Sequence, residues 1–471
     1  MKIAASSVLK QTLLYGASIA LMKGVSLLML PFIANHLPTA AFGQLEVISS
    51  LAVVGSILVG MGLEDALFRF AGACKDLKQR RRIAAELFTL SVILGTVALL
   101  AGYLLADLIS TKMPGDVGSY EVRLILATLT LEGCIAIPLG WLRMRNQAFS
   151  FFILTTGRAI TQAILVILFL SAERGVAGVL EAGLIAAVAQ SIILAYLHLR
   201  DCGGLTVGRG SYPALIYSLP IVGSGLVAFA LNGLDRWILA DYASLTDVAH
   251  FGVAAKFALA VVLLLQPFGM WWSPRRFEVL RQPGGQQQVV NMVVVGIVLT
   301  LLIAVSVGLA SPLLIQWMLP PEYALAGQYA IALVLVMAFK EIAELINLGC
   351  FTGKTTHTQL FINSIGASIG IIGMFLWAPQ YGVWGVIAAL LAAQTLRLVL
   401  FFTASQYFLP LAYPTRTLLL LTCFSVTCLG VGLQFSNALH QLWIALTASA
   451  CLVTLVFMLK LLPSVNKVLS R

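Results

Sequence analysis

Long apolar runs separated by short polar segments make up nearly the whole chain. A helix that crosses a bilayer needs about 20 consecutive, mostly apolar residues. By this measure the pattern predicts about fourteen transmembrane helices. The predicted spans are 10–35, 42–66, 84–110, 121–142, 150–171, 176–198, 212–240, 249–272, 289–318, 326–350, 358–378, 383–406, 415–434 and 439–462. No alternating ten-residue strands interrupt this pattern. Since only helices or closed barrels satisfy the backbone in lipid, the predicted fold is all-α.

Composition agrees with a polytopic membrane protein. Of 471 residues, 60% are hydrophobic and only 10% are charged, whereas a soluble domain carries about 25% charged residues. The net charge of +10 comes from basic residues between apolar runs, which favours contact with a membrane surface over nucleic acid. Every polar segment is too short to build a soluble domain, so any function must reside within the helical bundle.

The distribution of lysine and arginine predicts the orientation. One side of the predicted bundle holds only Lys112 and Arg174, and the other side holds nearly all remaining loop cations. Positive loops face the cytoplasm. We therefore expect both termini to be cytoplasmic, which requires an even number of spans.

An internal repeat predicts two lobes. The segments GVAGV at Gly175 and GVWGV at Gly382 each open an apolar helix, and Phe42 and Phe251, each followed by glycine, stand at nearly the same spacing. Two six-helix halves of equal orientation imply a parallel repeat with a site expected between them. The predicted division is 1–200 for an N-terminal lobe, 201–410 for a C-terminal lobe, and 411–471 for two further helices.

Cations within spans are the first candidates for a binding site, because an ion in the bilayer is costly and usually faces protein, water or a ligand. Lys23 lies about ten residues into its predicted helix, about 15 Å deep. A basic lumen could hold an anionic headgroup through charge-assisted hydrogen bonds; internal ion pairing or snorkelling is the alternative. The candidate substrate-binding residues are Lys23, Lys256, Arg158, Arg397 and Arg236.

Carboxylates within spans are candidates for coupling or gating. The set is Glu46, Glu132, Asp235 and Glu344, together with the cation Lys340. Lys340 and Glu344 are spaced i,i+4, which favours a structural pair. The repeat also places Glu46 and Lys256 at nearly equal depth in the two halves, from which we predict an outward-side gate.

The ordered set of motifs resembles a known family. Its parts are KGVSLLMLPFIANHLPTAAFGQLEVISS near the start, GLEDALFRF after the second span, a helix with Pro220 and the pair Asp235-Arg236, and then FGVAAK. Together they are similar to Wzx-type polysaccharide flippases of the multidrug/oligosaccharidyl-lipid/polysaccharide (MOP) exporter superfamily. The resemblance implies two six-helix lobes around a central cavity, with basic residues in helices one and eight that Lys23 and Lys256 match.

The resemblance also implies a function. Such flippases move undecaprenyl-diphosphate-linked oligosaccharides across the bacterial inner membrane by alternating access, for cell-surface polysaccharide synthesis, and a polymerase or export complex is a possible partner. The alternative is a cation-coupled drug exporter of the same superfamily, although the candidate set is rich in cations. A non-transporting scaffold and a glycan polymerase are further alternatives. The chain shows no zinc signature or nucleotide motif, so we expect no metal, no cofactor and no enzymatic activity.

Overall fold

The computed structural model describes residues 2–206, 208, 211–273, 275–352, 357–435 and 437–459. Helices account for most of these residues, and their contacts divide the chain into two compact units, Met1–Thr246 and Asp247–Arg471. The all-α prediction is confirmed. In the first unit the helices are α1 (Lys2–His36), α2 (Thr39–Gly60), α3 (Leu63–Ala73), α4 (Leu77–Lys112), α5 (Ser119–Thr130), α6 (Glu132–Met144), α7 (Ala148–Ser171), α8 (Gly175–Cys202), α9 (Ser211–Asn232) and α10 (Leu234–Tyr242).

The second unit contains nearly all of α11, which begins two residues before the division. Its helices are α11 (Leu245–Trp272), α12 (Arg276–Leu280), α13 (Gly285–Met318), α14 (Ala324–Ile346), α15 (His357–Phe408), α16 (Thr415–Gln434) and α17 (Ala438–Met458). Two short 3₁₀ segments, Pro321–Tyr323 and Asn347–Phe351, flank α14. Helices α16 and α17 pack on α13 around an apolar core, so the last two helices belong to this unit.

Among the described residues, twelve helices are long and apolar enough to cross a membrane. Helix α14 is not in that set, and α15 contributes one member of 52 residues. Such a helix is about 78 Å long at about 1.5 Å per residue, much longer than one bilayer crossing. Gly382 interrupts it with φ 54° and ψ −128°, at the boundary between two predicted spans. The count of fourteen spans stays a prediction.

Three predicted spans of the first unit are broken in the structure. Met61 and Gly62, with φ 46° and 61°, separate α2 from α3. Leu131 separates α5 from α6, and Gly233 separates α9 from α10. At Gly62 the left-handed backbone favours glycine, and a Cβ there would lie 2.9 Å from Ile221. The helices over 42–66 and 121–142 are interrupted, but Thr39–Ala73 and Ser119–Met144 each still form one candidate span. Of the predicted span 212–240, only Ser211–Asn232 forms a candidate span, and α10 follows it after the break.

Helices α9 and α10 pack within the first unit. Helix α9 contacts α2, α3 and α4, and α10 contacts α2. The core beneath α9 joins Ala214 to Leu67, Phe88 and Trp141, all nearly inaccessible to solvent. Burial of these side chains provides the main stabilisation of the packing. The first unit therefore extends through Thr246, beyond the six helices that the repeat assigns to the N-terminal lobe.

Candidate functional site

A cavity of about 650 Å³ lies inside the first unit, between α1, α3, α6, α7 and α8. Most of its wall is apolar, as in most ligand sites. Its charged and amide-bearing side chains are Lys23, Glu64, Glu132, Arg143, Arg158, Gln162 and Gln190. Two of the predicted substrate-binding residues, Lys23 and Arg158, therefore line one cavity, and the predicted coupling residue Glu132 lines it with them.

Lys23 reaches the cavity from the middle of α1. The helix is held on α7 before this point, where Ser18 and Thr155 form a hydrogen bond between their hydroxyl groups. The rings of Tyr15 and Phe151 add an edge-to-face contact with centroids 5.2 Å apart. Lys23 is exposed, and within the described part of the chain its ammonium group has no hydrogen bond or ion pair. Its three donors are therefore available to a ligand.

Arg158 is held in place by a buried amide. Its Nη1 donates to Oε1 of Gln190 at 3.2 Å, and Nε2 of Gln190 donates to the carbonyl of Leu154 at 3.1 Å. Gln190 is only 5% exposed, so the surrounding packing holds its side chain in place. A guanidinium has five N–H donors. Among the described residues only one nitrogen of Arg158 has a partner, which leaves a planar donor group at the cavity wall.

Two carboxylates also line the cavity, and they differ in whether they form an ion pair. Glu64 forms an ion pair with Arg143, and this pairing offsets both charges. Glu132 has no hydrogen bond or ion pair to another described residue, and it stands in the first turn of α6, directly after the break at Leu131. A carboxylate is stabilised at a helix N-terminus, where backbone N–H groups lack partners. The remaining local charges are two cations, Lys23 and Arg158, and one carboxylate.

The arrangement suits an anionic ligand with hydroxyl groups. Lysine and arginine provide charge-assisted donors for phosphate, and arginine can bind in bidentate fashion. The amides of Gln162 and Gln190 can bond to sugar hydroxyls. The volume equals roughly twenty waters at about 30 Å³ each, which is enough for a phosphate group and an attached sugar.

Another predicted set, Glu46, Asp235 and Arg236, forms a separate cluster in the first unit. Nη1 of Arg236 donates to Oδ1 of Asp235 at 2.8 Å, and its Nε lies 3.9 Å from Oε2 of Glu46. Asp235 and Glu46 are 2% and 7% exposed. Asp235, like Glu132, stands in the first turn after a helix break. Internal pairing, the alternative weighed for Arg236, is therefore present, and a substrate role for Arg236 stays a prediction.

In the second unit Arg397 is buried in a network of polar side chains. Its Nε and Nη2 donate to Oδ1 of Asn363, at 3.0 and 2.7 Å, and its Nη1 donates to Gln394. Nη2 also lies 3.4 Å from Oε1 of Glu344. Every nitrogen of this guanidinium thus has a partner, which favours a structural role over the predicted contact with substrate.

The predicted ion pair between Lys340 and Glu344 is wrong. Oε1 of Glu344 instead pairs with Arg397, and its Oε2 accepts from Nδ2 of Asn347 at 2.8 Å. The guanidinium and the amide satisfy both oxygens of the carboxylate. Lys340 forms no ion pair within the described ranges. A coupling role for either residue stays a prediction.

Lys256 lies near the middle of α11 and is half-buried. It belongs to the second unit, whereas Lys23 and Glu46 belong to the first. Its predicted roles in substrate binding and in a gate with Glu46 stay predictions.

Two members of the cavity were missed by the sequence analysis. Arg143 is among the loop cations of the predicted bundle, and Glu64 lies in the motif GLEDALFRF without being assigned to the site. Only the packing of α3 against α6 brings them together. A signal was nevertheless present, because Glu64 follows the Met-Gly pair that breaks the span, and a break permits polar side chains at membrane depth.

Comparison with known proteins decides the family. Residues 8–280 match the family described as "Polysaccharide biosynthesis protein". The chain belongs to the polysaccharide biosynthesis protein family. The match includes every residue of the cavity. This family member is also similar to the "Putative O-antigen transporter" of Shigella dysenteriae, with 22% identity over 382 residues, or 79% of this chain and 93% of the relative.

Solved structures show the same fold. The lipid II flippase MurJ in an inward closed conformation aligns with a TM-score of 0.70 and 15% identity, covering 95% of this chain and 99% of MurJ. An inward-facing MATE multidrug resistance transporter of the MOP superfamily aligns with a TM-score of 0.55 and 18% identity, covering 84% and 94%. The family member therefore has the MOP fold, and its predicted resemblance to polysaccharide flippases is confirmed.

The same relatives confirm two broader predictions. They are transporters and flippases, so the prediction that the chain is not an enzyme is confirmed. The family and the many apolar helices identify a multi-pass membrane protein of polysaccharide biosynthesis.

Proposed function

We propose that this protein is a flippase for undecaprenyl-diphosphate-linked oligosaccharide units in the bacterial inner membrane, with both termini in the cytoplasm. The observation that carries the proposal is the cavity of the first unit, where Lys23 and Arg158 present unused donors. Family membership supports transport in polysaccharide biosynthesis, and the fold of a lipid II flippase supports a lipid-linked substrate.

The chemistry of the cavity explains why such a substrate would be accepted. A diphosphate with attached sugars cannot enter hydrocarbon without losing its hydration, which is costly for charged groups. The ammonium of Lys23 and the guanidinium of Arg158 replace part of that hydration, and nearby amides replace water at sugar hydroxyls. The polyprenyl tail stays in the bilayer. Alternating access then changes the side to which the headgroup is exposed.

Glu132 is the carboxylate that best suits a coupling role. It lines the same cavity as both cations and has no ion-pair partner among the described residues. An anionic headgroup would repel this carboxylate, because like charges at short range are unfavourable. A cation that neutralises the carboxylate would thus be linked to the substrate through one site. We propose a polysaccharide polymerase or export complex as the partner that uses the translocated unit.

Transport in vesicles tests the proposal. Purified protein is reconstituted with a fluorescent undecaprenyl-diphosphate oligosaccharide, and the label in the outer leaflet is quenched over time. Lys23→Ala should reduce the translocation rate at least about tenfold, because a charge-assisted hydrogen bond contributes about 1.5–3 kcal/mol. The matched control is Lys112→Ala, which removes an exposed lysine at the end of α4 and should leave the rate unchanged.

A drug-export assay separates this function from the alternative. Drug exporters of the same fold take cationic compounds, which the surplus of basic over acidic groups in this cavity disfavours. A deletion strain should accumulate lipid-linked sugar without becoming sensitive to cationic drugs. Drug sensitivity without sugar accumulation, or equal translocation by Lys23→Ala and the parent protein, would contradict the proposal.

A further inference from the structure

A second cavity, of about 250 Å³, lies in the first unit between α6, α7 and α8. It shares no lining residue with the cationic cavity. One part of its wall is apolar, and the other carries polar and charged groups. The apolar residues are Pro138, Trp141, Leu142, Leu194 and Leu197, and the polar residues are Gln147, Ser150, His198, Arg200 and Asp201.

The polarity of this cavity changes along the helix axes. Leu194 lies about 12 Å before the end of α8, and Pro138 about 9 Å before the end of α6, at about 1.5 Å per residue. Arg200 and Asp201 stand in the last turn of α8, and Gln147 in the short connection from α6 to α7. The apolar wall is therefore at membrane depth, and the polar wall is at the boundary.

The polar end is net positive. Asp201 accepts hydrogen bonds from Nη2 of Arg81 at 2.8 Å and from Nε1 of Trp141 at 2.7 Å. Nε of Arg145 lies 4.0 Å from the same carboxylate. Arg200 is exposed and forms no hydrogen bond or ion pair with the rest of the described chain. Three arginines against one satisfied carboxylate favour an anion.

His198 adds an unsatisfied buried group. The side chain is 2% exposed, and its ring packs at a tilt against the ring of Phe88, with centroids 4.7 Å apart. Nε2 donates to the carbonyl of Ala84 at 3.3 Å, so Nδ1 of the neutral ring is an acceptor. Nδ1 has no partner among the described residues. A buried polar atom without a partner is unfavourable, and a hydroxyl group in the cavity would satisfy it.

We propose that this cavity binds an anionic phospholipid whose headgroup carries a hydroxyl group, such as phosphatidylglycerol. Its phosphate pairs with Arg200, its headgroup hydroxyl donates to Nδ1 of His198, and its glycerol backbone covers the apolar wall. The volume equals about eight waters at about 30 Å³ each, which suits a headgroup better than a single ion.

The surface beside the cavity supports a lipid over a soluble anion. Phe149, Ile193 and Tyr196 are direct sequence neighbours of lining residues, and they are 64%, 49% and 62% exposed. Such an apolar surface can lie along acyl chains in the membrane. A free phosphate would use the arginine but leave the apolar wall uncovered.

Native mass spectrometry of the full chain in detergent tests this site, since bound lipids are counted directly. Phosphatidylglycerol should be retained at least about fivefold better than phosphatidylcholine. Arg200→Ala should reduce that retention about fivefold, because one cation near a membrane surface contributes about that factor for an anionic lipid. Ser150→Phe fills the polar end without changing charge and should abolish retention.

Arg416→Ala is the matched control, since Arg416 is also an exposed arginine at the end of a span. It should retain phosphatidylglycerol like the parent protein. Each variant is first shown to have the parent melting temperature. Equal retention by the parent, Arg200→Ala and Ser150→Phe would overturn the proposal, as would equal retention of phosphatidylcholine. Competition by glycerol phosphate at similar concentration would show a soluble-anion site instead. None of these readouts depends on oligosaccharide transport.

Discussion

The two units use the same repeated helix in opposite ways. Gln190 and Arg397 stand at the same distance after Gly175 and Gly382, the glycines that open the repeated motif. In the first unit the amide at this position holds Arg158 of the preceding helix at a cavity. In the second unit the guanidinium occupies this position, and Asn363 of the preceding helical segment binds it.

The contrast between Arg158 and Arg397 shows what decides the role of a cation inside a helical bundle. Arg158 has a single hydrogen-bonded nitrogen among the described residues and faces a space large enough for a ligand. Arg397 has three occupied nitrogens and is 6% exposed. Charge and depth alone do not separate the two. The number of neighbouring acceptors does, because the hydrogen bonds of Arg397 leave at most one of its five N–H donors for a substrate.

The largest expected effect is on stability. Arg397→Leu should lower the free energy of unfolding by about 3–5 kcal/mol, because it leaves Glu344, Gln394 and Asn363 without their buried partner. Thermal unfolding in detergent measures the change. Lys340→Ala is the matched control in the same region. Unchanged stability of Arg397→Leu would contradict the structural role and return this residue to the substrate-binding candidates.

The corresponding change in the first unit should affect transport instead. Arg158→Gln should slow oligosaccharide translocation about tenfold or more, because it removes charge-assisted donors from the cavity. Its melting temperature should change little, since Arg158 has few partners to lose. Arg158→Lys keeps the charge and should restore part of the rate. A variant that unfolds as readily as Arg397→Leu would remove the contrast between the units.

The glycines that open the repeated motif offer a sharper test of equivalence. Gly175 and Gly382 both have positive φ, 58° and 54°, and a Cβ at either would meet no atom within 4 Å. Alanine at each should therefore cost about 1–3 kcal/mol through backbone strain alone, since Gly382, with ψ −128°, lies outside even the left-handed helical region. Chemical unfolding of Gly175→Ala and Gly382→Ala measures both. A cost at one position and none at the other would show that the openings are not structurally equivalent.

The smallest expected effect is at Lys340. Lys340→Ala should change the free energy of unfolding by less than about 0.5 kcal/mol, because this residue has no ion pair within the described ranges. Glu344→Gln, by contrast, weakens the contact with Arg397 and should cost clearly more. An equal loss of stability in the two variants would indicate that Lys340 does pair with Glu344.

Hydropathy predicts most of the fold because a bilayer imposes one length and one composition on every span. Lys23 was recognisable for the same reason, since a lysine so deep in an apolar helix requires an explanation. The partners of Arg397 were not recognisable, because Asn363 and Glu344 reach it only after three helical segments pack. The breaks at Leu131 and Gly233 were missed as well, since both residues are apolar or small and leave the hydropathy pattern unchanged.

Three helices of the first unit, α3, α6 and α10, begin directly after a break, and each carries a carboxylate in its first turn: Glu64, Glu132 and Asp235. A continuous helix resists bending because its backbone hydrogen bonds must stretch. An interrupted one has already given up those bonds, so it can act as a hinge at little cost. A change in the ion pairing of the adjacent carboxylate alters its attraction to the exposed N–H groups, and we therefore expect the angle of each hinge to respond to nearby charge.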